Sequence, residues 1–139
     1  MKNCHKPYII FGKIYSDERG EIICNNSFDL TKVKRFYEIK NTNTNYIRGW
    51  KGHQIESRWF TASYGKIKIV VSSIKKIIEG TPENLVFKLD FNSKDILYVP
   101  PGWATAIQQL NKNSKVIAFA DSHLGDYDDD FRSEYKNLN

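Results

Sequence analysis

Short segments rich in β-branched and aromatic residues follow one another along this chain, and each ends in a polar or glycine-containing turn. In Lys66–Val71, the residues Ile67, Ile69 and Val71 occupy every second position, a period typical of a strand with one buried face. Many short strands separated by turns predict an all-β sandwich or barrel. The further predicted strands are Tyr8–Tyr15, Glu21–Cys24, Val33–Lys40, Trp59–Tyr64, Asn84–Asp90, Ile96–Val99, Ala104–Leu110 and Lys115–Ala120.

Helical patterns are scarce, and only Ser73–Glu79 and Asp128–Lys136 are candidate helices. The sequence has no internal repeat, no low-complexity tract and no linker rich in proline or serine. Its 139 residues suit one domain large enough to bury a core. We therefore expect a single all-β domain over residues 1–139, with one or two short helices.

The charge and composition of the chain limit the classes of partner that it can be expected to bind. The net charge is +5, which favours an anionic ligand, but the lysines are spread along the chain. Nucleic acid is possible in principle, yet no recognition motif stands in its expected context, and a small molecule that carries phosphate explains the charge equally well. We therefore predict a small-molecule ligand, with neither nucleic acid nor a membrane as a partner.

The location is predicted from what the sequence lacks. No apolar run approaches the roughly 20 residues that span a bilayer. The first six residues do not form the apolar core of a signal peptide. We expect a cytoplasmic protein, in which Cys4 and Cys24 are reduced thiols.

Two motifs carry more specific information. Arg48–His53 reads Arg-Gly-Trp-Lys-Gly-His, Gly65 follows a dozen residues later, and Val99–Thr105 reads Val-Pro-Pro-Gly-Trp-Ala-Thr. In this order and spacing they resemble the cupin superfamily, a double-sheet jelly roll. Within it they look most like the sugar-nucleotide branch, the dTDP-4-keto-6-deoxyhexose 3,4-ketoisomerases (WxcM-like proteins) and the dTDP-4-dehydrorhamnose 3,5-epimerases. Three further segments support the resemblance: Asp17–Gly20, Lys34–Tyr37 and Asp128–Arg132.

The resemblance covers roughly Tyr8 to Arg132 and implies a function. Enzymes of this kind act as homodimers on a nucleotide-activated 4-keto sugar, most often a dTDP-sugar, in surface polysaccharide synthesis. They remove a proton next to the ketone, stabilise the resulting enolate and return a proton. The resemblance therefore implies a cupin isomerase or epimerase.

Many cupins bind a divalent metal through three histidines and one glutamate. Against that pattern this chain has Lys51, His53, Arg58 and Thr105, so one ligand of four remains. An ammonium and a guanidinium beside an imidazole repel a cation, and no other histidine fills the pattern. We therefore predict no metal and no other cofactor, and a metal-dependent cupin dioxygenase, which needs iron, is disfavoured.

The same substitutions suit an anion. Arg48 stands in the family's Arg-Gly pair, and Arg58 stands where the epimerases carry a lysine that contacts the diphosphate. Arginine binds phosphate through two parallel charge-assisted hydrogen bonds. Surface or ion-paired arginines are the alternative. Three further residues are predicted to contact the substrate, although core packing is the alternative for the aromatic one: Trp103, Thr105 and Gln108.

The proton-transfer groups are the least conserved part of the resemblance. The ketoisomerases carry a His-x-His pair on this strand. In this chain Lys51 stands at the position of the first histidine and His53 at that of the second, and Phe119 stands where the epimerases have a tyrosine. Lys51 is then the base, or His53 acts alone, or the site binds a sugar nucleotide without turning it over. Tyr98, directly before the Val99–Gly102 hairpin, is a candidate for the missing phenol.

Two hypotheses remain open. The first is a metal-free isomerase or epimerase in which His53, Lys51 and Tyr98 are the catalytic candidates. The second is a non-catalytic protein that binds sugar nucleotides and has lost the family's catalytic histidine. The acidic run Asp128–Asp130 is interpreted as a solvated loop or a helix N-terminus.

Overall fold

The computed structural model describes residues 6–136 and contains two five-stranded antiparallel sheets and one separate hairpin. The prediction of an all-β jelly roll is confirmed. The strands are β1 (Tyr8–Ile10), β2 (Lys13–Asp17), β3 (Gly20–Cys24), β4 (Arg35–Ile39), β5 (Ile47–His53), β6 (Arg58–Tyr64), β7 (Lys66–Ser73), β8 (Leu85–Asp90), β9 (Ile96–Val99), β10 (Trp103–Gln109), β11 (Lys115–Ala120) and β12 (Asp130–Arg132). Helix α1 covers Ile74–Ile78.

The two sheets enclose the main core. One sheet has the order β1-β9-β6-β11-β4 and the other β12-β5-β10-β7-β8. Inward-facing residues of both sheets form one apolar cluster that includes Phe60, Ile69, Leu97 and Val116, each at most 1% exposed. The alternation predicted for Lys66–Val71 is confirmed, because its second, fourth and sixth residues belong to this cluster.

A second apolar cluster lies on the outer face of the β5-β10-β7 sheet, around Trp50, Val70 and Ala104. The two glycines of the Arg-Gly-Trp-Lys-Gly-His motif belong to this packing. A Cβ at Gly49 would stand 2.5 Å from the Cα of Ala106, and one at Gly52 would stand 2.7 Å from a backbone oxygen of β10. The motif therefore needs both glycines because β5 and β10 approach each other closely.

The outer cluster is covered by α1 and by the C-terminal segment. The helix predicted within Ser73–Glu79 is confirmed as Ile74–Ile78, and Ser73 caps it by accepting the N–H of Lys76 at 3.2 Å. The helix predicted over Asp128–Lys136 is wrong. Asp130–Arg132 forms β12, which pairs with the exposed edge of β5, and Phe131 and Tyr135 pack on the outer cluster.

The predicted strand Tyr8–Tyr15 is divided at Gly12, whose N–H donates to Asp95 Oδ1 at 2.8 Å. The first part joins a barrel sheet as β1, and the second part pairs only with β3 as a separate hairpin. The hairpin leaves Ile14, Tyr15 and Ile22 exposed. Within residues 6–136, no helix has the length and apolar character needed to cross a membrane.

Candidate active site

A cavity of about 440 Å³ lies between the two sheets, beside the apolar core. Its walls come from the inner faces of β4, β5, β6 and β10, from β12, and from the segment 122–130 that precedes β12. The strands contribute both charged and apolar side chains, whereas the 122–130 segment contributes mainly polar ones. The cavity is therefore a polar continuation of the core that opens to solvent.

Five of the predicted site residues line this cavity: Arg48, Lys51, His53, Arg58 and Thr105. Arg48 reaches the inner face because of an irregularity in the pairing of β5 with β10. Thr105 pairs with Lys51, but Ile107 already pairs with Arg48, so β5 has one extra residue at this point. The irregularity places Arg48 and Lys51, three positions apart, in the same cavity.

Three other predicted site residues do not line it. Tyr98 lies on the outer face of its sheet, where its ring is 5.4 Å from that of Trp59 and its hydroxyl is 3.1 Å from Ser57 Oγ. Gln108 donates to the carbonyl of Thr44 at 2.9 Å. Trp103 packs in the main core. Tyr98 and Gln108 stand on the opposite side of their strands from the inward-facing residues, because side chains alternate.

His53 is the most enclosed titratable group of the motif, with 8% of its surface exposed. Its Nδ1 is 3.0 Å from Asp129 Oδ1 and 3.5 Å from Asp130 Oδ1, and its Nε2 is 3.6 Å from Glu56 Oε1. The imidazole is therefore held between carboxylates on both of its nitrogens.

The interpretation of Asp128–Asp130 as a solvated loop or helix N-terminus is wrong for Asp129, whose side chain is 7% exposed. Besides its contact with His53, its Oδ2 accepts the N–H groups of Ile55 and Glu56, each at 2.9 Å. Burial alone would raise the pKa of Asp129, but these hydrogen bonds outweigh it and hold the pKa below its ordinary value. Asp129 is therefore ionised at neutral pH.

Glu56 is a site residue that the sequence pattern did not indicate. It lies in the turn between β5 and β6, is 4% exposed, and accepts hydrogen bonds at Oε2 from Ser122 Oγ and, at 3.3 Å, from Arg35 Nη2. Its other oxygen, Oε1, is buried and has no hydrogen-bond partner within the described residues. Only the proximity of Glu56 to His53, three positions earlier, was visible in the sequence.

Two aspartates fix the turn that carries Glu56. Asp121 accepts the N–H of Ser57 at 2.9 Å and donates its own N–H to the Ser57 carbonyl at 3.2 Å. Asp129 holds the same turn through the two backbone bonds described above. The segment between these aspartates, which includes His123, Leu124 and Tyr127, forms part of the cavity wall.

The cations of the cavity differ in environment. Arg58 is 3% exposed, lies over the ring of Phe60 at 5.2 Å and donates to the carbonyl of Lys51 at 3.2 Å. Burial lowers the pKa of Arg58, and its interactions with Tyr37 and with the carboxylates of Glu56 and Asp130 oppose that shift. A guanidinium nevertheless stays charged at neutral pH.

Lys51 and Arg48 are less enclosed. The side chain of Lys51 is 37% exposed, and its Nζ is 3.5 Å from Asp130 Oδ2. Arg48 donates from Nε to Asn41 Oδ1 at 3.2 Å, and within residues 6–136 its terminal nitrogens are left for other partners. Of the described residues that line the cavity, five are Lys or Arg and three are Asp or Glu, so the cavity as a whole favours an anion.

One group among residues 6–136 has the spacing of a metal site: His53, Asp129 and Asp130, with ligand atoms within 4.8 Å of one another. Both oxygens of Asp129 already accept hydrogen bonds, and the Nδ1 of His53 faces one of them. Lys51 also lies beside Asp130. The described geometry is that of a hydrogen-bonded cluster, and the absence of a metal stays a prediction.

A two-sheet antiparallel jelly roll with a polar cavity between its sheets is the architecture of the cupin class. The sequence matches the family described as WxcM-like, C-terminal over residues 5–138. The chain belongs to this family, as the resemblance in the motifs implied. No curated protein matches it significantly.

Solved structures with the same fold have low sequence identity. QdtA, a sugar 3,4-ketoisomerase from Thermoanaerobacterium thermosaccharolyticum solved with TDP, has a TM-score of 0.70 and 19% identity over 93% of this chain and 89% of its own. The TDP-quinovose 3,4-ketoisomerase WlaRB from Campylobacter jejuni has a TM-score of 0.69 and 19% identity over 91% of this chain and 92% of its own. The dTDP-4-dehydrorhamnose 3,5-epimerase from Bacillus anthracis, solved with TDP and PPi, has a TM-score of 0.77 and 15% identity over 95% of this chain and 81% of its own.

Proposed function

We propose that this chain binds a nucleotide-activated 4-keto sugar in the cavity and isomerises or epimerises it by metal-free proton abstraction and return, in the synthesis of a surface polysaccharide. The observation that carries the proposal is His53, a buried imidazole held between carboxylates in a cavity that favours anions. The family match and the TDP-bound structures of similar fold support the nucleotide and the sugar class. A cytoplasmic location stays a prediction.

The proposed mechanism uses the acidity of the proton next to the ketone. A base of the cavity removes that proton, and the enolate that forms is stabilised by hydrogen-bond donors and positive charge. The candidates for proton transfer are His53 and Lys51, because both line the cavity. Tyr98 stays a weaker candidate, since its hydroxyl lies 3.1 Å from Ser57 on the outer side of the sheet.

Arg48 and Arg58 are proposed to bind the diphosphate. Arg48 suits this role, because it is partly exposed and uses Nε on Asn41 while its terminal nitrogens stay available. Arg58 is more deeply buried and contributes mainly a fixed positive charge. Thr105 lines the same cavity, although its hydroxyl already donates to the carbonyl of Lys51 at 3.4 Å.

The experiment that tests this proposal is a thermal-shift screen of the purified protein with dTDP, UDP, GDP and CDP, with EDTA and divalent metals as controls. A ligand that binds only the folded state raises the melting temperature. We expect dTDP to stabilise the protein independently of EDTA, and a 4-keto sugar linked to dTDP then to exchange a carbon-bound proton with deuterated water. Stabilisation by metal alone, or no response to any nucleotide, would contradict the proposal.

The alternative is a sugar-nucleotide-binding protein without catalytic activity. Lys51 favours it, because an ion pair with Asp130 occupies the position of the family's first histidine. Replacement of Lys51 by Ala separates the two functions. If Lys51 is the base, Lys51→Ala abolishes proton exchange while dTDP still stabilises the protein. If Lys51 is a phosphate contact, exchange survives and dTDP affinity falls. If the wild type binds dTDP and catalyses no exchange, the alternative is correct.

We also propose that the protein is a homodimer in which a second copy covers the β2–β3 hairpin. A two-stranded hairpin by itself is only marginally stable in water, and this one exposes 64% of Ile22 and 50% of Tyr15. Apolar surface of this kind is typical of an interface between protein chains. Light scattering coupled to size-exclusion chromatography tests the dimer, and a mass of one chain at micromolar concentration would contradict it.

A further inference from the structure

Two cations face each other across the pairing of β5 with β12. Lys51 and Arg132 are directly opposite partners in this antiparallel pair. The Cβ atoms of opposite residues lie about 4.5–5.5 Å apart on the same face of a sheet, and like charges there destabilise the pairing. The two side chains therefore need a negative charge between them.

Asp130 provides that negative charge. Its Oδ2 is 3.5 Å from Nζ of Lys51 and 3.4 Å from Nη2 of Arg132, so the two cations share one oxygen. Both distances are longer than the roughly 2.7–2.9 Å of a charge-assisted hydrogen bond. The side chains are also solvated, with 44% of Asp130 and 73% of Arg132 exposed, and exposed ion pairs contribute little to stability. The carboxylate of Asp130 is therefore a loosely held counter-ion.

Arg132 lies where a ligand can reach it from two sides. Together with Arg48 and Lys51, it lines both the cavity and a shallow groove of about 460 Å³, whose other walls come from β5 and from the 132–134 segment. These three cations therefore stand where the two concave surfaces meet, at the mouth of the cavity.

The cations of the mouth have fewer partners than the deeper ones. Arg58 donates to the Lys51 carbonyl and lies over the ring of Phe60. Among residues 6–136, by contrast, the guanidinium of Arg132 forms one ion pair and no hydrogen bond, and that of Arg48 donates only from Nε. A guanidinium can donate two parallel hydrogen bonds to a phosphate, and Arg48 and Arg132 both keep this capacity.

We propose that Arg132 binds a phosphate group of the ligand together with Arg48, and that Asp130 is an internal counter-ion which this phosphate displaces. The inference deepens the proposed function and rests on it, because the phosphate is that of the nucleotide. A diphosphate offers several oxygens to the two guanidinium groups, whereas Asp130 offers a single oxygen to Arg132 and Lys51. Asp130 and the ligand therefore compete for Arg132, and this competition weakens phosphate binding.

The role of Arg132 is tested by titration calorimetry of the full chain with dTDP and, separately, with pyrophosphate. Arg132→Ala should weaken the binding of both about tenfold, because it removes a charged donor to the phosphate. The control is Lys136→Ala, which removes an exposed cation of the same segment that lines neither the cavity nor the groove. Equal affinities of wild type and Arg132→Ala, or an equal loss in the control, would overturn the proposal.

A second pair of variants tests the counter-ion. Asp130→Asn removes the charge of the side chain and keeps its size, so the affinity for dTDP and for pyrophosphate should rise about threefold or more. The matched control is Asp128→Asn, the same change at an exposed residue that does not line the cavity, and it should raise the affinity much less. Equal gains in the two variants, or weaker binding by Asp130→Asn, would refute the displacement. Should Asp130→Asn not fold, the Arg132 comparison still decides whether the phosphate site exists.

The proposed function can fail independently of this inference. If wild type binds dTDP and Arg132→Ala binds it equally well, the nucleotide is correct and the Arg132 site is not. If pyrophosphate binding depends on Arg132 while dTDP binds no more tightly than pyrophosphate, the phosphate site exists and the nucleotide is misassigned. Absence of binding by both probes would contradict both proposals.

Discussion

The interior of the barrel has two regions that share the same strands. On β6, Phe60 lies in the apolar core, whereas Arg58, two positions earlier on the same face, lies in the cavity and stacks on the Phe60 ring at 5.2 Å. On β10, Ile107 belongs to both regions and Thr105 to the cavity. The difference teaches that the core contributes stability through many interchangeable contacts, while each charge of the cavity depends on a few specific partners.

The largest effect should come from the core. Leu89→Ala removes most of a fully buried side chain on β8, away from the cavity, and leaves a void, which should lower the free energy of unfolding by about 2–5 kcal/mol. Urea denaturation measures this loss. At a temperature where the variant is still folded, its dTDP affinity should equal that of the wild type. A loss of affinity in folded Leu89→Ala would show that the two regions are not independent.

An intermediate effect is expected at Asp129, which ties the cavity to the turn of Glu56. Asp129→Asn should lower the free energy of unfolding by about 1.5–3 kcal/mol at neutral pH, because hydrogen bonds to an ionised carboxylate are stronger than those to an amide.

The pH dependence has a definite sign. The folded-state pKa of Asp129 lies below its unfolded value, so its contribution is present above the unfolded value and is lost as pH falls through the folded one. Urea denaturation at about pH 7 and at about pH 3 should therefore show a smaller gap between wild type and Asp129→Asn at the lower pH. An equal gap at both values would contradict this origin.

The smallest effect is expected at Arg48, and on binding instead of folding. Arg48→Ala should weaken dTDP binding about tenfold, equivalent to about 1.4 kcal/mol, with little change in melting temperature. The control is Lys75→Ala, which removes an exposed cation from α1, outside the cavity. Titration calorimetry with dTDP compares the two. Unchanged affinity in Arg48→Ala, or an equal loss in both variants, would contradict the diphosphate assignment.

Much of the fold could be predicted from local patterns. Ile96–Val99 was predicted with its observed bounds, and Ser73 capped the helix expected there, because alternation and capping depend on neighbours in sequence. The failure at Asp128–Lys136 has a nonlocal cause. An acidic run followed by apolar residues suits a helix locally, but pairing with β5 and packing on the outer cluster determine its structure.

Part of the candidate site could also be predicted from local patterns. Arg48, Lys51, His53 and Thr105 could be assigned to one cavity because two motifs carry them, and Arg58 because it matches a position of the epimerases. Glu56 and Asp129 belong to no pattern of residue spacing. Asp129 meets His53 across 76 positions of the chain, and the buried role of Glu56 depends on a turn that distant aspartates hold. Such contacts between residues distant in the chain cannot be predicted from local sequence patterns.

The two aspartates that fix the Glu56 turn also divide the 121–129 segment into ends bonded to that turn and a middle, 123–127, in which His123 and Asp126 bond to each other. Asp121 and Asp129 are each bonded to the turn, whereas Leu124, between them, is 85% exposed at the edge of the cavity. Substitutions in the middle can therefore reshape the cavity wall while the surroundings of His53 stay in place. Directed evolution of ligand preference should therefore begin with this short stretch.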